Sequence, residues 1–270
     1  MMVIKSRQNP LIRSVRALRQ NKVRRVKKKF LVEGVRLLEE AVSSGCTIDT
    51  VLCCTDILTD SLSKKLLQKL DCQGVSVVAT TPDVLASVAE TKSPPGLIAV
   101  VCFPSLPAID PIIENSDLIV LGDKIQDPGN AGTIIRTSEA ARVGGVFFTP
   151  GSVYPYSDKV IRASMGSLFR LPVAILPDNG RKLYEYCLKR GWQSIFTVPE
   201  GGIPWWQVDF TQPTLVVLGN EGAGISPEMQ AATKGLKVSI PLAPPVESLN
   251  VAIAGAVILF EAVRQRSISH

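Results

Sequence analysis

Histidine is nearly absent from this sequence: the one histidine is the last residue, His270. A side chain at a chain end is expected to fray, so neither histidine acid–base chemistry nor a histidine-containing metal site is predicted. The six cysteines form no C-x-x-C pair, and no second cluster completes a zinc site. We therefore predict no metal, and ordinary buried thiols in a reducing, cytoplasmic compartment.

Long apolar runs are also lacking. The longest candidate, residues 251–260, is broken by Glu261 and falls short of the roughly 18 apolar residues of a membrane span. The first residues have no continuous apolar core of the kind that marks a secretory signal. A mitochondrial presequence stays open as an alternative, because residues 1–30 are basic and acid-free, but a cytoplasmic protein is preferred.

Basic charge is concentrated in residues 1–30, here called the basic segment. It holds eleven of the 30 Lys and Arg residues and no acid, which leaves nineteen basic against 24 acidic residues elsewhere. Leu11, Val15 and Leu18 share one face of a predicted helix there, with arginines on the other faces. A solvated basic helix is one interpretation. A segment so basic and free of acids favours nucleic acid, whose phosphates it would neutralise.

Three prolines in residues 104–111 divide the chain, since proline propagates neither a helix nor a central strand. We predict a first domain at 1–103, a linker at 104–116 and a second domain at 117–270. Both domains alternate apolar, β-rich runs with helical patterns. This alternation predicts an α/β fold, with a mostly parallel sheet covered by helices in the second domain.

The predicted strands of the second domain point to where a ligand would bind, because open α/β sheets hold ligands at the carboxyl ends of their strands. This rule selects the loops after residues 122, 198, 218 and 241. The strands are predicted at 118–122, 145–149, 172–176, 194–198, 214–218 and 237–241. The helices are predicted at 131–142, 157–168, 180–190, 226–233 and 247–265.

The loop after residue 218 reads "VLGNEGAGIS" (217–226) and looks at first like a nucleotide loop. Its glycines follow the order G-x-x-G-x-G, the reverse of the dinucleotide fingerprint, and no G-K-[ST] follows them. Glu221 lies inside the turn, where its carboxylate would repel a phosphate. The turn therefore suits a ligand without phosphate, met by backbone groups that glycine leaves accessible. The alternative is a tight strand-to-helix turn with Pro227 near the helix start.

Two further loops carry polar residues beside predicted helices. Asn130 is placed as a helix N-cap, which alone would explain an asparagine there. Arg136, six residues later among apolar neighbours, is expected to point along a cleft or to pair with an acid. Ser248 and Asn250 precede the long apolar helix and could form a rigid wall for a ligand; capping by Ser248 is the alternative.

Three stretches together resemble the motifs of the SpoU/TrmH family of SPOUT RNA methyltransferases: "NAGTIIRT" (130–137), "VLGNEGAGIS" (217–226) and "IPLAPPVESLNVAIAGAVILFE" (240–261). "KVIRASMGSLFRLPV" (159–173) is similar to the segment between the family's motifs. "FLVEGVRLLEEA" (30–41) and "SPPGLIAVV" (93–101) resemble its smaller N-terminal substrate-recognition domain, a ribosomal-protein-like α/β fold. The resemblance covers nearly the whole chain.

The resemblance implies a C-terminal SPOUT domain with a deep trefoil knot, a rare exception to unknotted chains. It implies S-adenosylmethionine as the cofactor, structured RNA as the substrate and a homodimer whose cleft joins both subunits. By position, the residues that would line the cofactor site are Gly219, Ile240, Leu242 and Leu249. The residues that would carry the catalytic motifs are Asn130, Arg136, Glu221, Ser248 and Asn250.

The implied reaction is methyl transfer to a ribose 2′-hydroxyl, with ribosomal RNA favoured over transfer RNA. Arg136 is expected to clamp a phosphate and stabilise the developing alkoxide, since a guanidinium is no base near neutral pH. We predict that Asn130 orients Arg136 and that Glu221 and Asn250 shape the RNA pocket. The rival hypotheses are a non-catalytic RNA-binding or ribosome-assembly factor with a vestigial pocket, and a nicotinamide-dependent enzyme. The glycine order disfavours the latter.

Overall fold

A computed structural model describes residues 3–58, 60–91 and 93–268. Its contacts divide the chain into two compact units, Met1–Ser105 with Tyr156–Arg162, and Leu106–Pro155 with Ala163–His270. The predicted domain limits stay a prediction, and His270 lies outside the described residues. No helix among the described residues is long and apolar enough to cross a membrane.

The first unit is built on a five-stranded sheet in the order β1-β4-β3-β5-β2. β2 and β3 pair antiparallel with β5, whereas β4 pairs parallel with β1 and β3. Its strands are β1 (Val3–Ile4), β2 (Lys29–Glu33), β3 (Ile48–Cys53), β4 (Ser76–Thr80) and β5 (Leu97–Cys102). Its helices are α1 (Pro10–Ala17), α2 (Asn21–Lys27), α3 (Val35–Ser43), α4 (Ser61–Cys72) and α5 (Pro82–Ala86).

The basic segment contributes to the core of the first unit. Asn9 caps α1 by accepting a hydrogen bond from the backbone N–H of Leu11, and Pro10 occupies the first helical position. Ile12, Val15 and Leu18 are buried in the same cluster as apolar residues of the sheet, and Leu11 packs at its edge. The predicted apolar face is therefore present, and it anchors the basic segment by hydrophobic burial.

The second unit contains a seven-stranded sheet in the order β10-β12-β9-β11-β6-β7-β8, in which every pair is parallel. Its strands are β6 (Leu118–Gly122), β7 (Gly145–Phe148), β8 (Val173–Ile175), β9 (Gln193–Thr197), β10 (Ile203–Pro204), β11 (Thr214–Leu218) and β12 (Leu236–Ser239). Helices of this unit are α6 (Ile109–Glu114), α7 (Pro128–Ala140), α9 (Arg181–Lys189), α10 (Pro227–Ala232) and α11 (Val251–Ile268), and α8 (Asp158–Ala163) lies mainly in the first unit.

The central strands explain why the parallel sheet forms. β6 and β11 are buried at every position, as expected of strands covered by helices on both faces. Helix α11 approaches β11 closely at Gly255, where a Cβ atom would lie 3.0 Å from Leu218 Cδ1. The predicted α/β class and mostly parallel sheet are confirmed. The trefoil knot stays a prediction.

The structure differs from the predicted elements in several places. Residues 109–114 form α6 inside the expected linker, and Ile112 and Ile113 are buried in the core; Pro111 sits in its first turn, where no helical N–H is lost. Helix α8 ends at Ala163, well before 168, because left-handed Met165 and Gly166 follow. Helix α11 begins at Val251 instead of 247. Strand β10 was missed because it is two residues long.

Candidate functional site

The second unit has a cavity of about 670 Å³ at the carboxyl ends of its strands. Residues after β9, β11 and β12 line it, together with Asp127 and Asn130 from the start of α7. The structure thus brings together all four loops that the sequence singled out. Eight of the nine predicted site residues line this cavity: Asn130, Gly219, Glu221, Ile240, Leu242, Ser248, Leu249 and Asn250.

The charge of the cavity is distinctive. Asp127, Glu221 and Glu247 line it, and no Lys, Arg or His is found among the described residues of the lining. Such a lining repels phosphates and favours a ligand that carries positive charge. The apolar part, which includes Ile240, Leu242 and Ile258, offers a dry surface for a flat or aliphatic group.

Gly219 allows the turn after β11 to close tightly. A Cβ atom there would lie 2.5 Å from the backbone carbon of Gly224 and 2.6 Å from the nitrogen of Ile225. Asn220 and Gly224 exchange two backbone hydrogen bonds, 2.8 and 3.0 Å, and Gly224 has a φ of +67°. Glycine is required at 219 for close approach and at 224 for its backbone conformation.

We expect Gly219→Ala to lower the free energy of unfolding by about 1–3 kcal/mol, because backbone atoms cannot move aside as a flexible side chain can. Gly222→Ala is the matched control: a Cβ atom at Gly222 would meet only Asn220 Oδ1, at 3.8 Å. Denaturant titration of both variants measures the difference. Equal stability of the two would refute this description of the turn.

Glu221 holds the β11 turn against the loop that precedes α7. Its carboxylate accepts hydrogen bonds from the backbone N–H groups of Gln126, 3.2 Å, and Asp127, 3.0 Å, and from Asn130 Nδ2, 3.0 Å. Partial burial acts to raise the pKa of Glu221, but these hydrogen bonds outweigh it and the pKa is lowered. The bonds therefore stabilise the fold above the usual carboxyl pKa, and that contribution is lost as the pH falls through the lowered value.

Asn130 does not cap α7, so the interpretation of this residue as an N-cap is wrong. Asp127 is the cap, and its Oδ1 accepts the Asn130 backbone N–H at 2.8 Å. The Asn130 side chain is therefore free to act across the site. It donates to Glu221 and accepts from Asn250 Nδ2 at 2.8 Å, so one chain of hydrogen bonds connects the three motif stretches.

Asn250, and not Ser248, caps the last helix. Asn250 Oδ1 accepts the backbone N–H groups of Ala252, 2.9 Å, and Ile253, 3.3 Å. Because its oxygen is used in the cap, its amide NH₂ must face Asn130, which in turn must direct its own NH₂ to Glu221. The orientation of both amides is thus fixed by the helix end. Ser248 is exposed and lines the cavity.

Arg136 is the predicted site residue that lies outside this cavity. It is exposed, two turns into α7, and does not line the cavity. It neither points along this cleft nor pairs with an acid, and no hydrogen bond joins it to another described residue. Asn130 is engaged by Glu221 and Asn250, and no hydrogen bond joins it to Arg136 among the described residues, so its predicted role of orienting Arg136 stays a prediction.

Asp123 is a residue that the sequence analysis missed. It is almost fully buried directly after β6. Its carboxylate accepts from Thr149 Oγ1 at 2.8 Å and from the backbone N–H of Ser226 at 2.7 Å. A buried acid of this kind needs such partners, and it ties three loops of the same sheet edge together. An acid that directly follows an apolar strand was the available signal.

The basic segment divides into engaged and free cations. Arg7 pairs with Asp83 and Lys29 with Asp49, while Arg24 is fully buried and pairs with Asp158. Arg24 therefore has a structural role. Within the described part of the chain, five exposed basic side chains of the segment carry no hydrogen bond or ion pair: Lys5, Arg13, Arg19, Lys22 and Lys27.

Comparison with known families assigns both units. The model of the SpoU rRNA Methylase family matches residues 117–260, and that of the MRM3-like substrate binding domain matches residues 9–99. An uncharacterized tRNA/rRNA methyltransferase of Synechocystis sp. is 38% identical over 264 residues, which are 97% of this chain and 94% of the relative.

Two further matches carry more specific names. A 23S rRNA (uridine(2479)-2′-O)-methyltransferase of Streptomyces viridochromogenes is 35% identical, over 88% of this chain and 83% of the relative. The crystal structure of the SpoU methyltransferase AviRb from Streptomyces viridochromogenes, in complex with AdoMet, superposes with a TM-score of 0.86 and 34% identity, over 96% of this chain and 99% of that one.

Proposed function

Because the chain belongs to the SpoU rRNA methylase family, we propose that it transfers a methyl group from S-adenosylmethionine to a ribose 2′-hydroxyl of ribosomal RNA. The observation that carries this proposal is the acidic, glycine-walled cavity, which is built by the three motif stretches and has no cation among its described lining residues. The carboxylates of that lining would repel the phosphates of a nicotinamide dinucleotide, which disfavours this ligand.

The residues present fit S-adenosylmethionine. Gly219 and Gly224 form a wall without side chains, Ile240 and Leu242 offer an apolar surface, and the carboxylate of Glu247 offers a partner for the positive sulfonium. When bound, the cofactor supplies an activated methyl group. Leu249 completes the apolar wall. Roles of these residues in binding are proposals that ligand titration can test.

Isothermal titration calorimetry gives the test of this cofactor assignment. We expect S-adenosylmethionine to bind with 1:1 stoichiometry per chain and NAD⁺ not to bind. Absence of S-adenosylmethionine binding by the folded protein would contradict the proposal and favour a non-catalytic RNA-binding or assembly factor.

Arg136 is proposed to act on the hydroxyl. Its guanidinium stays protonated near neutral pH, so it cannot take the proton as a free base. It can clamp the neighbouring phosphate and stabilise the alkoxide as charge develops, while the proton leaves to phosphate or water. Asn130, Glu221 and Asn250 are positioning residues that hold the loops, and Ser248 is proposed to face the substrate side of the cavity.

We also propose a homodimer whose cleft joins both subunits. Arg136 does not line the cavity of its own chain, so a site complete with Arg136 requires a second subunit or a moving loop. Helix α11 leaves Ile253 and Phe260 half exposed, seven residues apart on one face. Large apolar side chains on one face are typical of an isologous interface.

Phe260→Glu is expected to convert the dimer to a monomer, because a charge at the centre of an apolar interface must be buried without a partner. Light scattering after gel filtration measures the mass. Leu188→Glu on α9 is the control, since Leu188 is similarly exposed but lies on another helix. A wild-type monomer, or a Phe260→Glu dimer, would overturn the assignment of this interface.

The free cations of the basic segment are proposed to hold RNA phosphates. Replacing Arg13, Arg19 and Lys22 by alanine should weaken binding to rRNA fragments and reduce the slope of log K against log [salt] by about two to three. Arg7→Ala is the control, because Arg7 is engaged by Asp83. An unchanged salt slope in the triple variant would place the RNA elsewhere.

Ribosomal RNA is preferred over transfer RNA because the relatives with specific names act on 23S rRNA. A cytoplasmic location is proposed on the same basis and stays a prediction.

A further inference from the structure

The turn that follows α8 runs beside the helix that carries Arg136. Gly132 of α7 lies very close to Ala163, the last residue of α8, and to Ser164, which follows it. A Cβ atom at Gly132 would lie 2.3 Å from Ala163 Cβ and 3.0 Å from the Ser164 nitrogen. Further along α7, Glu139 forms an ion pair with Arg170. Residues 163–170 therefore follow α7 from Gly132 to Glu139.

Arg136 lies between these two contacts on the same helix face. Residues 132, 136 and 139 are spaced by four and three, which places them on one stripe of an α-helix. The part of the turn that runs between the two anchored ends is Met165–Gly166. Both of these residues are thus held on the side of α7 from which Arg136 projects.

Met165 adopts a backbone conformation that a residue of its kind seldom takes. Its φ is +49°, and Gly166 follows with a φ of +93°. Its neighbours Ser164 and Ser167 are buried, whereas Met165 itself is 55% exposed. A bulky residue with positive φ is strained, and such strain clusters at ligand sites, where the surrounding structure maintains it.

The left-handed conformation ends α8, but the exposed Met165 side chain gains no packing from it. An apolar thioether gains nothing from being held in water, and glycine or asparagine would adopt the same backbone at lower cost. The conformation exposes a flexible apolar side chain on the side of α7 that carries Arg136, whose guanidinium has no partner among the described residues. Methionine suits contacts with aromatic rings of varied shape.

We infer that Met165 contacts the base or ribose of the nucleotide that is methylated, next to the phosphate held by Arg136. This inference rests on the proposed function and adds a substrate-contacting residue to it. In single-stranded loops of RNA the bases can be unstacked, and an unstacked base is free to contact protein side chains. Met165 then replaces part of the lost stacking surface, so it contributes to RNA affinity and to the choice of nucleotide.

Met165→Asn tests the inference, because asparagine tolerates the left-handed backbone but lacks the thioether. We expect the KM for rRNA, and the Kd for the same RNA by fluorescence anisotropy, to rise about 3–10-fold. The affinity for S-adenosylmethionine should not change, and Tm should stay the same or rise as strain is relieved. Leu188→Asn, at an exposed apolar position on α9, is the control.

The outcomes separate the two claims. Unchanged KM and Kd for RNA in Met165→Asn would overturn the inference. A lower Tm together with loss of all binding would also overturn the inference, because Met165 would then be needed for the fold. A change in the mass of the protein in solution would overturn it too, because Met165 would then lie in a subunit contact. If the wild-type protein methylates no RNA while Met165→Asn still weakens RNA binding, the proposed reaction fails and the contact stands.

Discussion

Arg136→Ala is expected to lower kcat for RNA methylation by about 10²–10³-fold, the usual loss when one donor that stabilises a developing oxyanion is removed. Arg136 is exposed and does not line the cavity. Its removal should therefore leave the free energy of unfolding and the affinity for S-adenosylmethionine unchanged. Single-turnover methylation of rRNA with saturating cofactor measures the effect on the chemical step.

Two control variants make this expectation specific. Arg181→Ala removes an exposed arginine that pairs with Glu185 on α9, and it should leave kcat unchanged. Arg136→Lys keeps the charge but loses the planar fork, so its kcat should lie between those of the wild type and Arg136→Ala. Near wild-type methylation by Arg136→Ala, with RNA and cofactor still bound, would remove Arg136 from the mechanism.

Asn130→Asp is expected to lower the affinity for S-adenosylmethionine at least tenfold and the free energy of unfolding by about 1–3 kcal/mol. The introduced carboxylate can still accept from Asn250 Nδ2, but it faces the carboxylate of Glu221, which loses a donor. The chain of hydrogen bonds is then broken between residue 130 and Glu221. Calorimetry and urea titration at neutral pH measure both effects.

The pH provides an internal check on Asn130→Asp. Protonation of either carboxyl restores a donor between the two groups, so binding should recover in part as the pH falls. Asn115→Asp, at an exposed position where the amide donates to the Pro111 carbonyl, should show neither loss nor recovery. Wild-type cofactor affinity in Asn130→Asp would mean that the hydrogen-bond chain does not shape the cavity.

The sheet of the second unit could be predicted from the sequence because its strands are continuous apolar runs. Leu118–Gly122 and Thr214–Leu218 were predicted with their observed bounds. Since the carboxyl ends of parallel strands share one edge, the loops that build the cavity could also be identified. The motif resemblance supplied the cofactor and the reaction, which no apolar pattern contains.

What the sequence could not predict is which partner each polar side chain would take. Asparagine is a common N-cap, so the sequence suggests Asn130 as the N-cap of α7. In the structure Asp127, three residues earlier, occupies the N-cap position. Ser248 and Asn250 are likewise both candidates for the N-cap of α11, and Asn250 holds this position because α11 begins at Val251. Such choices depend on the exact first residue of a helix, which sequence patterns locate only to within a few residues.

The turn at Met165 was beyond prediction for a different reason. A helix pattern continues through residues 157–168, and methionine favours helices. The chain leaves the helix after Ala163, where Gly132 of α7 approaches closely. This is a tertiary contact between segments thirty residues apart, and a local pattern carries no sign of it.

Transfer of a labelled methyl group from S-adenosylmethionine to RNA tests the central claim most directly. Ribosomal RNA from cells that lack this protein would be incubated with the purified chain and methyl-labelled cofactor, digested to nucleosides and analysed by mass spectrometry. We expect label in a single 2′-O-methylnucleoside and none with Arg136→Ala. Label on a nucleobase, or no label in any ribosomal RNA from a protein that binds the cofactor, would contradict it.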